Sequence, residues 1–127
     1  MKLAQIQMHV TADKAANLRH AEELLRSVRG ADMAILPEMF CCPYDNSCFR
    51  AYGEPAGGAA YQMLSRAARE LGLWLVGGSL PELDDGRVYN TSFVFDPQGT
   101  CVARHRKMHL FDIDVEGGQR FMESDTL

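Results

Sequence analysis

One short stretch limits the possible folds of this sequence more than any other: an apolar segment, Met33 to Leu36, ends at Pro37 and is followed directly by Glu38. Proline fixes φ and has no N–H to donate, so it ends a buried strand. Open α/β folds bind their ligands at the carboxyl ends of their strands. A carboxylate with apolar residues on both sides would be desolvated there, an environment that tunes it to act as a general base. A solvated loop glutamate is the alternative interpretation, and Leu-Pro-Glu alone does not decide between the two.

The segments around Glu38 predict an alternation of strands and helices. Lys2 to His9 alternates apolar and polar residues, as a strand does, and the helical spacing of apolar residues predicts a helix from Asp13 to Arg29. Asp32 to Leu36 is the second strand, and a strand–helix–strand unit predicts parallel pairing through a right-handed crossover.

The rest of the chain adds one more helix and three more strands. The predicted elements are an irregular loop over 41–55, a helix from Gly57-Gly58 to Gly72, and strands over 73–80, 88–95 and 101–107, with turns at Asp84-Asp85-Gly86 and at Asp96-Pro97-Gln98-Gly99. Residues 124–127 are predicted to be neither a tail nor a helix. The order β-α-β-α-β-β-β predicts an α/β fold with both helices on one face of a mixed sheet. The second face would lack a cover and need a partner.

The composition is that of a single soluble globular domain. The chain has 127 residues, of which 46% are hydrophobic and 24% charged, and no apolar run long enough to span a membrane. A net charge of −4 gives no reason to expect nucleic acid or a membrane as a partner. The four cysteines have neither zinc-site spacing nor the density of a disulfide scaffold, so we expect a reduced, cytoplasmic protein.

A second candidate cluster is the basic segment from Arg104 to Lys107, which is followed by apolar residues. It can be interpreted as an edge strand protected by its charges, or as a source of an ammonium group held against a buried carboxylate. A third candidate, Glu123, lies in a mixed apolar and polar run, and the residues alone predict a surface position.

Four motifs together resemble one known family, and the resemblance runs from Met1 to Leu127. The motifs are Leu36-Pro37-Glu38-Met39-Phe40, Gly77-Gly78-Ser79, Tyr89-Asn90-Thr91 and Arg106-Lys107-Met108-His109-Leu110-Phe111. In order and spacing they resemble the carbon–nitrogen hydrolase (nitrilase) superfamily. The run Asp112-Ile113-Asp114-Val115, followed by Phe121-Met122-Glu123-Ser124, is most similar to the omega-amidase branch.

The resemblance implies both a fold and a chemistry. The fold is the N-terminal half of an αββα sandwich, and the activity is hydrolysis of a small carboxamide to acid and ammonia by a Glu–Lys–Cys mechanism. Glu38 matches the general base, Lys107 the residue that stabilises the oxyanion, and Glu123 the second glutamate that orients the lysine and the substrate amide. The resemblance calls for no metal and no cofactor.

The nucleophile is the large departure from the family pattern. The family carries it on a Gly-x-x-x-Cys-Tyr-Asp-type elbow after a further strand, which this sequence does not contain. We therefore expect residues 1–127 to form a single incomplete domain that is inactive alone. Cys101 is interpreted as a small core or sheet residue, and Cys41, Cys42 and Cys48 as loop-packing thiols. The alternative, that a position at the rim of the site makes one of these three thiols reactive, stays open.

Two alternatives stay open at this point: a non-catalytic α/β module that packs or binds, and a fragment of an N-carbamoyl-amine hydrolase. We predict that Glu38 and Lys107 approach within about 4 Å. We also predict self-association, most simply as a two-fold dimer, because five apolar residues (Leu73, Leu75, Val76, Phe93 and Phe95) belong to strands with only one helical layer.

Overall fold

A six-stranded mixed sheet with two long helices on one face forms the framework of the protein, and the computed structural model describes all of residues 1–127. The strands are β1 Leu3–Gln5, β2 Met33–Ile35, β3 Trp74–Val76, β4 Leu80–Asp84, β5 Arg87–Phe95, β6 Cys101–Arg106, β7 Asp112–Asp114 and β8 Arg120–Met122; the helices are α1 Lys14–Ser27, α2 Asn46–Tyr52 and α3 Ala59–Leu71, and a 3₁₀ turn spans Glu123–Asp125.

The order of strands in the sheet is β1-β2-β3-β5-β4, with β6 on the other side of β5. The first three strands are parallel, and β5 runs antiparallel to β3, β4 and β6. Strand β5 is long enough to pair first with β4 and then with β3 along the same edge. The predicted mixed sheet is confirmed, and its connections bring the end of β2 close to the end of β6.

The two predicted helices form where the sequence indicated and carry the main core. Asp13 caps α1, because its side chain accepts a hydrogen bond from the Ala16 N–H at 2.9 Å. Gly72 ends α3 in the left-handed conformation, with φ of 63°. Both helices pack on the same sheet face, where apolar side chains from α1, α3, β3 and β5 form a single buried cluster.

Two predicted segments differ from the structure in the neighbourhood of Glu38. The loop predicted over 41–55 contains α2, whose start is capped by Asp45 accepting from the Ser47 N–H at 2.8 Å. The strand predicted over 73–80 is two strands, because Gly77-Gly78-Ser79 interrupts it. Gly78 has φ of 55°, and a Cβ there would lie 2.0 Å from the Pro37 carbonyl oxygen, so the chain must turn there against the Pro37–Glu38 segment.

The sequence patterns also missed the elements at the end of the chain. Strands β7 and β8 form a small antiparallel sheet of their own, and the 3₁₀ turn at Glu123–Asp125 follows directly. Phe111 to Val115 does alternate apolar and polar residues, so a signal for β7 was present in the sequence, but this run was used only as a motif.

The sheet face opposite α1 and α3 is only partly covered, so the expectation of a fully bare face was wrong. A second cluster, formed by Met39, Cys42, Phe49 and Val88, packs against the beginning of β5. The remainder is open: Leu3, Met33 and Trp74 lie side by side on β1, β2 and β3, with Leu3 55% and Trp74 42% exposed.

Most of the apolar residues that we expected to need a partner are buried within the chain itself. Leu73, Leu75, Phe93 and Phe95 are all buried against the helices, and among the five named residues only Val76 faces the other way. No helix in the structure combines the length and the apolar character needed to cross a bilayer.

Candidate functional site

Lys107 lies between two carboxylates at the point where β6 ends. Its Nζ is 3.0 Å from Glu38 Oε1 and 3.0 Å from Glu123 Oε2. The Lys107 backbone N–H donates to the Asn90 carbonyl at 2.8 Å, which continues the β5–β6 pairing by one residue and fixes the root of the side chain. The predicted approach of Glu38 and Lys107 to within about 4 Å is therefore confirmed. The structure brings all three residues named from the sequence together.

The carboxylate of Glu38 is more open to solvent than its apolar sequence neighbours predicted. Half of its side chain is exposed, so the expectation of a desolvated carboxylate was wrong. Leu36 and Phe40 are buried on the other side of the turn, while Glu38 extends from the strand end towards a cavity. Asn90 Nδ2 donates to Glu38 Oε1 at 2.8 Å, the same oxygen that Lys107 contacts.

The turn that carries Glu38 is held by the glycine–serine segment between β3 and β4. The Met39 N–H donates to Ser79 Oγ at 3.0 Å, and the Ser79 N–H donates to the Pro37 carbonyl at 3.3 Å. Met39 has φ of 49°, a conformation that costs free energy for a residue with a side chain. These hydrogen bonds from both sides keep the turn in that conformation, and the turn sets the direction of Glu38.

Glu123 is fully buried, which corrects the surface position that the residues alone predicted. Its carboxylate accepts from Tyr44 Oη at 2.5 Å, from the Phe111 backbone N–H and from Lys107 Nζ. Burial by itself would raise the pKa of Glu123, but these hydrogen bonds and the Lys107 charge outweigh burial, so that pKa lies below its ordinary value. Glu123 is therefore ionised near neutral pH, where it holds the ammonium group of Lys107.

The same contacts fix the charge of Lys107. Burial would lower the pKa of its ammonium group, but the hydrogen bonds and charges of Glu38 and Glu123 outweigh burial and raise that pKa above the usual lysine range. A lysine in this state cannot act as a base. It can hold a fixed positive charge and hydrogen-bond donors near a developing oxyanion.

A cavity of about 340 Å³ opens beside these groups on the partly covered sheet face. Its polar lining side chains are Glu38, Ser79, Asn90, Ser92, His105 and Lys107. No group of three or more His, Cys, Asp or Glu side chains in the structure is arranged to hold a metal ion. The arrangement presents a carboxylate and an ammonium group to a molecule of small-metabolite size.

None of the four cysteines is placed as an activated nucleophile. Cys41 and Cys42 are buried, and burial raises the pKa of each thiol to about 12. Cys101 lies at the opposite end of β6 from Lys107, where its Sγ donates to the Ala103 carbonyl. Cys48 is in α2 and packs against the smaller apolar cluster, which consists of Met39, Cys42, Phe49 and Val88. Reactive cysteines need a lowered thiol pKa, and the two buried thiols have the reverse.

Sequence reasoning assigned no role to three residues that complete this site: Tyr44, Ser79 and Asn90. Ser79 and Asn90 lie inside motifs that supported the resemblance, so the signal was present without a function attached. Tyr44 lies in the loop after Glu38, and nothing in its surroundings indicated a contact with Glu123.

Comparison with known families supports the resemblance over the whole chain. The family model described as carbon-nitrogen hydrolase matches residues 2–127. Omega-amidase NIT2 of Danio rerio is 48% identical over 128 residues, which is 99% of this chain and 46% of the relative. Omega-amidase NIT2 of Homo sapiens is 44% identical over the same length, with the same shares covered. The chain thus spans about half the length of the curated relatives that it matches.

Solved structures agree with the fold. Nit3 of Saccharomyces cerevisiae, a member of branch 10 of the nitrilase superfamily, superposes with a TM-score of 0.78 at 35% identity, covering 87% of this chain and 45% of that one. The C. elegans NitFhit protein gives a TM-score of 0.76 at 26% identity, covering 96% of this chain and 31% of the other.

Proposed function

Because this chain belongs to the carbon–nitrogen hydrolase family, we propose that it is the N-terminal part of an amidase that hydrolyses the C–N bond of a small carboxamide to an acid and ammonia. The observation that carries the proposal is the position of Lys107 Nζ, 3.0 Å from both Glu38 and Glu123 at the mouth of a cavity. An ammonium group held by two carboxylates supplies the fixed charge that acyl transfer requires.

In the proposed reaction Glu38 accepts the proton of a cysteine thiol, and the resulting thiolate attacks the amide carbon. The carbonyl oxygen becomes an oxyanion that faces Lys107. When the tetrahedral intermediate collapses, its C–N bond breaks and Glu38 returns the proton to the nitrogen, which leaves as ammonia. Water then cleaves the thioester and releases the acid. Glu123 takes no proton in this scheme, because its lowered pKa keeps it ionised while it holds Lys107 in place.

We place the nucleophilic cysteine outside residues 1–127, so that the domain described here is incomplete. The support is chemical: the two thiols nearest in sequence to Glu38, Cys41 and Cys42, are buried with pKa values raised to about 12. A thiol in that state stays protonated at neutral pH and is a poor nucleophile.

For the substrate we propose a glutamine-like or short dicarboxylic monoamide, following the relatives described as omega-amidases. A cavity of about 340 Å³ is of suitable size for such a molecule. The four cysteines form no disulfide, in agreement with a cytoplasmic location, which we also propose.

We further propose that the isolated chain associates with a second copy through the open part of the sheet face. The apolar residues there are Leu3, Met33, Ile35, Trp74, Val76 and Val94, and they lie on adjacent strands. A two-fold dimer would remove them from water. Light scattering at micromolar concentration tests this proposal. We expect a dimer, and a folded monomer that binds no hydrophobic dye would contradict it.

Two preparations test the proposed activity: the 127-residue chain alone, and the same chain joined to the segment of the Danio rerio relative that follows the matched region. We expect ammonia release from a dicarboxylic monoamide only with the joined protein, and loss of that release in its Glu38→Gln and Lys107→Met variants. Ammonia release by the short chain that disappears in Cys41→Ser, Cys42→Ser or Cys48→Ser would show that the nucleophile is one of these thiols. A folded joined protein that releases no ammonia would contradict the proposed function.

A further inference from the structure

The two oxygens of the Glu38 carboxylate are not equivalent. Oε1 accepts from Asn90 Nδ2 at 2.8 Å and from Lys107 Nζ at 3.0 Å, whereas Oε2 receives no hydrogen bond from any protein group. Two donors on one oxygen occupy its lone pairs and fix the carboxylate plane. The unoccupied oxygen is left for a group that enters from outside.

Asn90 is the residue that creates this difference. It lies in the middle of the sheet on β5, and only 4% of it is exposed although its side chain reaches the half-exposed Glu38. Its backbone carbonyl accepts from the Lys107 N–H at 2.8 Å, so a single residue holds the base by its side chain and the lysine by its backbone. A buried side chain on a central strand has little freedom, which makes Asn90 a rigid reference for both groups.

We propose that Asn90 is a positioning residue for the proposed amidase reaction: it holds Oε1 of Glu38 and thereby leaves Oε2 as the oxygen that accepts the proton of the nucleophilic thiol. This inference rests on the proposed function. In the step itself the S–H bond breaks, an O–H bond forms at Oε2, and the electron pair stays on sulphur as the thiolate. Lys107 keeps its protons throughout, and Asn90 exchanges none.

Lys107 alone would not fix the carboxylate in this way. Its ammonium group has three donors on a flexible stem and can follow Glu38 through several rotamers while it remains paired with Glu123. The planar amide of Asn90 donates in a single direction. Removing the amide donor should therefore free the rotation of Glu38 without breaking the Lys107–Glu123 pair.

The test uses Asn90→Asp, which keeps the shape of the side chain and replaces the amide donor by a carboxylate, which accepts but does not donate while it is ionised. The matched control is Asn17→Asp, because Asn17 is also buried, and its Nδ2 also donates to backbone carbonyls, those of Thr11 at 2.8 Å and Cys41 at 3.4 Å. Both variants place a carboxylate where a buried amide was, so both report the loss of stability that such a change causes at a buried position. Only the first touches the site.

The first readout is the mobility of the Glu38 side chain in the 127-residue chain, measured by NMR relaxation of its methylene groups. We expect one rigid rotamer in the unchanged chain and in Asn17→Asp, and rotamer averaging in Asn90→Asp. Asn90→Leu is the second variant: it has neither a donor nor a charge, so it separates the loss of the amide donor from the repulsion between two carboxylates in Asn90→Asp. A Glu38 side chain that stays rigid in the folded Asn90 variants would overturn the inference.

The second readout is steady-state ammonia release by the joined protein. Displacement of a catalytic group by about 1 Å costs on the order of 100-fold in rate, so we expect kcat to fall by about that factor in Asn90→Asp with KM little changed. We also expect Asn17→Asp to leave kcat and KM as they were. Unchanged kcat in Asn90→Asp would overturn the positioning role while leaving the amidase proposal intact. An inactive parent protein would count against the amidase proposal, and the NMR readout would still decide whether Asn90 fixes the Glu38 carboxylate.

Discussion

Two fully buried glutamates, Glu82 and Glu123, take their cations from the same short segment of chain, yet they are held in different ways. Glu82 is bound by the guanidinium groups of Arg106 at 2.9 Å and Arg104 at 3.2 Å, and by Thr91 Oγ1 at 2.7 Å. Glu123 is bound by an ammonium group, that of Lys107, together with a phenol and a backbone N–H. Successive residues of an extended chain point to opposite faces, so Arg106 and Lys107 serve the two clusters separately.

The difference lies in what else each cation contacts. Arg106 also binds Asp84 at 2.6 Å and lies 3.8 Å from the centre of the Tyr89 ring, so its guanidinium group is paired with residues of the fold on several sides. Lys107 binds Glu38, which is half exposed and lines the cavity. The contacts of Arg104 and Arg106 with Glu82 and Asp84 join β6 to β4 across β5. The contacts of Lys107 with Glu38 and Glu123 instead hold a positive charge where a ligand can reach it. The contrast separates a structural carboxylate from one that we assign to chemistry.

The largest effect on stability is expected from Glu82→Ala. The substitution leaves two guanidinium groups without their buried partner, and breaking such a pair costs about 3 kcal/mol when, as here, one cation is half exposed. Urea unfolding followed by far-UV circular dichroism measures this loss. Asp84→Ala is the control, because Asp84 contacts the same Arg106 but is itself 54% exposed, so its loss should be small. Equal losses in the two variants would contradict the structural role of Glu82.

Lys107→Met should cost less at neutral pH, about 2 kcal/mol, because Glu123 keeps its two other donors. The pH dependence is more informative. The pKa of Glu123 is lowered in the folded protein, so its contribution to stability is present above the ordinary value of 4.5 and is lost as pH falls through the folded value. Without the ammonium group, the hydrogen bond and the charge by which Lys107 lowers the pKa of Glu123 are lost, so we expect that pKa to rise.

Acid unfolding measures this change. Between pH 7 and pH 3 the unchanged chain should lose more stability than Lys107→Met loses, since only the unchanged chain gives up an ion pair on protonation of Glu123. Glu123→Gln removes the titrating group and should show the same weak dependence as Lys107→Met. The pKa of Glu82 is also lowered, because the hydrogen bonds of Arg106 and Thr91 outweigh burial, so part of the acid limb remains in both variants.

The sequence predicted much of this comparison, but not all of it. Glu38, Lys107 and Glu123 were identified through motif resemblance, and the strand–helix–strand pattern placed Glu38 at a strand end. The residues alone predicted a surface position for Glu123, because its burial depends on Tyr44, which is 79 residues away in the chain. The burial of Glu82 was not predicted for the same reason: its partners are on two other strands, β5 and β6, and the separate strand β4 that carries it was not predicted either.

Arg106→Lys should cost about 1.5 kcal/mol, less than Lys107→Met. A lysine keeps the positive charge, but it cannot bind Glu82 and Asp84 together in the planar geometry of a guanidinium group or stack on Tyr89 in the same way. Thermal and urea unfolding of the variant check this value. A variant as stable as the unchanged chain would mean that charge alone, without guanidinium geometry, holds the cluster.

The smallest effect is expected from Tyr44→Phe, about 1 kcal/mol, because the lost hydrogen bond is to a charged group but the tyrosine is 42% exposed. Burial, followed by the contact with Glu123, raises the pKa of Tyr44 to about 12. Spectrophotometric titration should therefore show one fewer tyrosine ionising at about pH 12 in the variant. Tyr52→Phe is the control, since that phenol donates to the neutral Ala12 carbonyl and removing it should leave the Glu123 cluster unchanged.

The most direct test of the central claim, that Lys107 serves chemistry and Arg106 serves structure, is ammonia release by the joined protein in two reciprocal variants, Lys107→Arg and Arg106→Lys. A guanidinium group keeps the charge at position 107 but differs in shape and donor geometry, so we expect at least about a 100-fold fall in kcat for Lys107→Arg with little change in stability. Arg106→Lys should keep most of its turnover and lose stability. Full turnover in Lys107→Arg, or a greater loss of turnover in Arg106→Lys, would contradict the account.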